Sequence, residues 1–145
     1  MTTAVKSIRH IVEANLKTYL TAQTELAGVA IYTGDSADDN VLPKIITVCD
    51  SARAPGDLPE GLGNYLCGVR LTIYSNADDT TLSAHRSRCA VLAGIMQDVA
   101  SFKAVFTAEG NASLYDVTIG SEDEGVDTRS WATSFGFNVL TVITN

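Results

Sequence analysis

Few side chains in this sequence have the chemistry to act on a substrate: two histidines, three cysteines and several runs of adjacent acids. Nucleophilic hydrolysis needs a Ser or Cys, a histidine base and an orienting acid in mutual reach. His85 is the better placed histidine, three residues after Leu82 and near Ser83 and Asp79, whereas His10 stands alone. No Gly-x-Ser-x-Gly elbow is present to expose a serine. A helix histidine of this kind is expected to be a satisfied or partly exposed one. A small hydrolase or ligand-binding domain using His85 with Asp78 or Asp79 is the competing reading, motivated by their closeness in sequence.

Other site chemistries lack essential members. A phosphate cradle needs closely spaced glycines leading into a helix, and Gly61, Gly63 and Leu66 lack the third glycine and precede a strand. Asp35, Ala37 and Asp39, or Asn76, Asp78 and Thr80, mimic the opening of a calcium loop. Both lack the glycine and the closing glutamate of that loop, so neither a metal nor a cofactor is expected. Cys49, Cys67 and Cys89 form no Cys-x-x-Cys pair and have no histidine pair beside them, which makes them small buried hydrophobes of a reducing compartment. The sequon Asn111-Ala112-Ser113 has no export signal to give it meaning.

Charge narrows the partners. Ten Lys and Arg against seventeen Asp and Glu give a net charge of −7, which disfavours a surface that grips nucleic-acid phosphates. Arg86 and Arg88 cluster near Asp78 and Asp79, where local pairing at a helix start is the expectation. Glu122, Asp123, Glu124 and Asp127 are expected to crown a loop between two long strands, the best candidate for a presented surface. The N-terminal stretch has charges scattered through its apolar positions, and no apolar run approaches the roughly eighteen residues of a membrane span. Neither secretion by such a signal nor membrane insertion is expected.

The elements that must position these residues follow from periodicity. Val5, Ile8, Val12, Leu16 and Tyr19 predict an amphipathic helix over residues 3–22. Residues 29–32 and 44–50 suit strands, separated by a polar loop carrying Asp38 and Asp39. Residues 51–63, which include Arg53, Asp57 and Glu60, are dense in Pro and Gly and predict a long loop. From Tyr65 the alternation of Cys67, Val69, Leu71 and Ile73 against Gly68, Arg70, Thr72 and Tyr74 marks a half-buried strand. Asp78 or Asp79 is expected to cap one long helix from Leu82 to Phe102. Strands are expected at 114–120 and 131–143, with residues 121–130 as the loop between them. At 145 residues, 46% of them hydrophobic, the chain suits one domain over residues 1–145. The fold class is α+β: a mixed, largely antiparallel sheet with two long helices packed on one face, in the order α-β-β-β-α-β-β. Strand order is left open, with a parallel pairing across the second helix allowed.

Taken together, the N-terminal helix, the strand at Ile45 to Cys49, the segment GVRLTIYS from Gly68, the Asp78/Asp79 turn, the helix after Leu82 and the closing segments LYDVTIG and FGFNVLTVI carry a resemblance. In this layout the chain resembles the tail terminator, or tail-completion, neck proteins of long-tailed bacteriophages. The resemblance implies a non-enzymatic structural virion protein, assembled in the host cytoplasm as a homo-hexameric ring at the head-proximal end of the tail. Such a ring stops tail-tube growth and joins the tube to the head connector, so the implied partners are further copies of the chain, the tail-tube protein and the connector protein. DNA passes through the lumen as cargo. Other neck, head-completion or tail-tube proteins are the neighbouring readings. Exposed strand edges and structured loops suit self-association, and the expected contacts are Asp38, Asp39, Arg53, Asp57, Glu60, Arg86, Arg88, Glu122, Asp123, Glu124 and Asp127.

Overall fold

The alternating segment after Tyr65 becomes the middle of a five-stranded sheet. A computed structural model describes residues 7–34, 41–53, 64–127 and 129–143. In chain order the elements are α1 (Ile8–Thr21), β1 (Ala30–Thr33), β2 (Lys44–Arg53), β3 (Asn64–Asn76), α2 (Leu82–Gln97), α3 (Val99–Glu109), β4 (Ala112–Asp127) and β5 (Ser130–Ile143). The strands lie in the order β1-β2-β3-β5-β4. Only β1 and β2 are parallel; the remaining three pairings are antiparallel. The expected α+β class and its mixed, largely antiparallel sheet are therefore observed. The parallel pair joins β1 to β2, not strands on either side of α2, because β5 inserts between β3 and β4.

One face of the sheet carries the core. Cys67, Val69, Leu71 and Ile73 of β3 and Phe135, Phe137 and Val139 of β5 are buried in a single cluster with the apolar faces of all three helices. Their neighbours Gly68, Arg70, Thr72 and Tyr74 point to the opposite face, as a period of two requires. Of the helix stripe read from the sequence, Val5 lies outside the described residues, and Ile8, Val12, Leu16 and Tyr19 face inward in α1 together with Ile11 and Leu20. Ser7 caps α1, its hydroxyl accepting from the His10 amide at 3.4 Å.

Two expected boundaries change most. The single helix from Leu82 to Phe102 is two helices that bend by 61° at Asp98, and the second runs on to Glu109. Asp98 is itself a cap, accepting from the Ser101 amide at 3.2 Å and the Ser101 hydroxyl at 2.7 Å. The Tyr19 hydroxyl donates to the Ile95 carbonyl at 2.6 Å, satisfying an acceptor at the end of α2. Tyr19 also stacks on Phe102, which meets Phe106 edge to face. Helix α2 begins with Thr81 as its cap, receiving the Ala84 amide at 3.1 Å, and not with Asp78 or Asp79. Those two aspartates sit exposed in the turn before it.

The second change is in the last hairpin. Residues 121–127, expected as a loop, extend β4 to sixteen residues. Acidic residues have low strand propensity, but each is held by main-chain pairing to β5 in a register that continues to Asp127 opposite Ser130. The Trp131 indole donates to the Thr80 carbonyl at 2.8 Å and ties this distal end to the start of α2.

Phe102 is fully buried where α1 and α3 meet. Phe102→Ala is expected to lower unfolding free energy by roughly 3–5 kcal/mol, as a large cavity at a helix junction does; urea unfolding followed by circular dichroism measures it.

Candidate functional site

The side chain with the most reactive potential turns out to be enclosed. His85 lies on the inward face of α2 and is completely buried. Its Nδ1 is 2.8 Å from the Ser75 hydroxyl and its Nε2 is 2.9 Å from the Thr133 hydroxyl, with the Cys89 sulfur 3.5 Å from Nε2. Arg88 also donates to the Ser75 hydroxyl. Both ring nitrogens are thus engaged by β3 and β5, and neither Asp78 nor Asp79 is among their partners. Burial lowers the His85 pKa, with Arg88 and Arg86 adding to the effect and Glu124 opposing it. A neutral imidazole bonded on both sides is a cross-brace between helix and sheet, which removes the basis for a hydrolase or ligand site built on it.

The cysteines are free and buried. The Cys49 thiol is held protonated by its hydrogen bond with Cys67 and by burial; burial raises Cys89 likewise. Among the described residues no cluster of His, Cys, Asp and Glu is arranged to hold a metal ion.

What remains is a surface built on the distal half of β4. Strand β4 is terminal in the sheet, so among the described residues one of its edges has no neighbouring strand. Arg86 forms a two-point pair with Glu124, Nε to Oε2 at 3.0 Å and Nη2 to Oε1 at 2.8 Å. The guanidinium lowers the Glu124 pKa, and the carboxylate raises that of Arg86. Glu122 and Glu124 pair with Phe135 and Thr133, both buried, and so share the helix-bearing face; Asp123 pairs with Ser134 and points to the other. Glu122, Asp123 and Glu124 are exposed. Three of the four exposed large apolar residues among those described, Tyr115, Ile119 and Val126, lie on this same strand.

The expected contacts therefore divide. Arg86 and Glu124 meet directly, Arg88 lies two residues on, about half a turn round the helix, where it donates to Ser75, and Glu122 and Asp123 adjoin Glu124 in the chain; Asp127 ends the strand. Arg53 is exposed at the far end of the sheet, in the row of Leu66, Leu140 and Asp116. It belongs to β2 and not to the expected loop. Asp38, Asp39, Asp57 and Glu60 lie outside the described residues.

Sequence reasoning missed the uncovered face of the sheet. A trough of about 450 Å³ crosses it, lined by Ser51, Gly68, Arg70, Ser121, Asp123 and Gly136 among others. Arg70 pairs with Asp50 at 3.4 Å beside it. Extra residues in β2 and β4 shift the register between Cys49 and Ser51 and between Ile119 and Ser121. Each shift brings a serine hydroxyl over a glycine of the next strand, 2.6 Å from where a Cβ would stand at Gly68 or Gly136. The only sequence signal was glycine inside an alternating strand.

No protein-family model and no curated protein matches the sequence. Among solved structures, a chain from the virion of a native gene transfer agent (GTA) particle matches with a TM-score of 0.66 at 10% identity, covering 92% of this chain and 95% of that one. The two chains share a fold. Coverage of nearly all of both chains means that the likeness is to the overall layout, not to one motif within it.

The protonation of His85 has a definite sign. Its folded pKa lies below the ordinary value of 6.5, so the stability contributed by burying it neutral is fully present above that value and is lost as pH falls toward the folded pKa. Urea midpoints measured from about pH 7.5 down to about pH 5 should fall for the native protein, and His85→Gln should show a flatter profile over that window.

Proposed function

We propose that this chain is a structural virion protein that forms a homo-oligomeric ring, a hexamer, at the head-proximal end of a phage-type tail. In that position it ends tail-tube growth and joins the tube to the head connector. The observation that carries this reading is the fold held in common, over nearly the full length of both chains, with a component of the GTA virion.

The side chains support a role without catalysis. The one buried histidine is consumed by structural hydrogen bonds, and the cysteines are buried as thiols. The sheet ends in a long open edge bearing acids and exposed apolar residues, the kind of surface on which subunits associate. A net charge of −7 also suits a ring through which DNA slides without adhering.

Light scattering after size exclusion, with negative-stain images, tests the reading. The expected result is a closed ring at high protein concentration or on addition of the cognate tail-tube protein, with tubes capped at one end. A strict monomer under both conditions overturns it.

A further inference from the structure

The register of the sheet places its two outer strands at the same level. Row by row, Ala30, Ile31, Tyr32 and Thr33 of β1 align through β2, β3 and β5 with Gly125, Glu124, Asp123 and Glu122 of β4. The pairings also make β1 and β4 antiparallel to each other. A second copy displaced along the sheet, perpendicular to its strands, would therefore bring its β1 beside the acidic stretch of the first copy's β4, oriented to continue an antiparallel ladder.

Charge matches on the same face. Arg9, Glu13 and Lys17 repeat every four residues along one flank of α1. Glu13 fixes where that flank lies: its Oε2 accepts from the Cys49 amide at 3.0 Å, and its Oε1 is 3.8 Å from where a Cβ would stand at Gly34, just beyond β1. Arg9 and Lys17 are exposed on either side of it. Helix α1 and the side chains of Glu122 and Glu124 occupy the same face of the sheet. In a continued sheet the basic flank of one copy would lie next to the acids of the other.

The alternatives to this pairing are disfavoured. Two β4 edges meeting each other would set Glu122, Asp123 and Glu124 against their own copies, and like charges opposite one another repel. Strand β1 has no charged residue. Exposed Ile119 and Val126 bracket the acidic stretch and supply apolar area to cover. The contact uses two different surfaces of one chain, so it propagates head to tail and closes into a ring when the rotation per subunit allows.

We propose that copies of this chain associate head to tail, the outer edge of β4 at residues 122–125 pairing with β1 of the next copy beneath the basic flank of its α1. This rests on the ring reading above and names the surface that makes the ring. Two measurements test it. Reversing the acids that share the face of α1 (Glu122→Lys with Glu124→Lys) or the bases (Arg9→Glu with Lys17→Glu) should each raise the concentration for half-assembly by about tenfold or more. The variant with all four reversals should recover much of that loss, with circular dichroism showing each variant folded. In parallel, Asp123→Cys combined with Tyr32→Cys sets thiols in the same row on the same face, and mild oxidation should give a ladder of cross-linked oligomers that neither single variant gives. Rings that assemble normally after both charge reversals, with no cross-linked ladder, overturn this surface and leave the ring reading standing. A native chain that never assembles overturns both.

Discussion

The pairing of β3 with β5 is the constraint on which the other contacts depend. It runs without a register shift from Asn64 opposite Val142 to Asn76 opposite Ser130. A side-chain period of two carried along both strands lets only one face be apolar, so a slip of one residue would send either Leu71 and Ile73 or Phe135 and Phe137 to solvent. The hydrophobic gain of the core therefore locks the register, and the register places everything on either flank. β2 and β4 can accept bulges because the strands between them do not. The bulges turn Ser51 and Ser121 over Gly68 and Gly136, and the uncovered face is shaped by that exchange of volume between neighbouring strands.

A second constraint acts at the other layer. Three helices must cover a twisted sheet from one side, and a single straight helix from Leu82 onward would leave part of the cluster open. The chain bends at Asp98, where the aspartate caps the new helix while the Tyr19 hydroxyl donates to the Ile95 carbonyl near the end of the old one. Burial, with Asp98 and Glu25 adding negative charge nearby, pushes the Tyr19 pKa up to about 12, so the phenol remains a donor across the physiological range. Phe102 and Phe106 then fill the space beneath the bend. On the opposite side His85 braces α2 through Ser75 and Thr133, and Arg86 reaches over to Glu124. Helix α2 is thus joined to the sheet by polar contacts as much as by its apolar residues.

These two constraints leave one long strand with an open edge. Natural sheets blunt such an edge with charge and bulges, and β4 has both. The same acids disfavour pairing with another acidic edge.

Sequence alone determined the fold class, the inward face of α1 and the alternation of β3. Each of these depends on residues near one another in the chain, where spacing of 3.6 or 2 carries the information. The acidic stretch was visible as a charged surface, but its place in a strand was not, since low local propensity was overridden by main-chain pairing with a partner strand. The break at Asp98 had a local sign in Asp98 and Ser101; the phenol that bonds the Ile95 carbonyl there, from a helix far earlier in the chain, had none. His85 could be read as a base or as a brace from sequence, and only the arrival of Ser75 and Thr133 from two different strands decided between them. Tertiary structure also decided which strands are outermost and at what level they stand, because strand order and register are set by which faces can be buried together and not by any one segment.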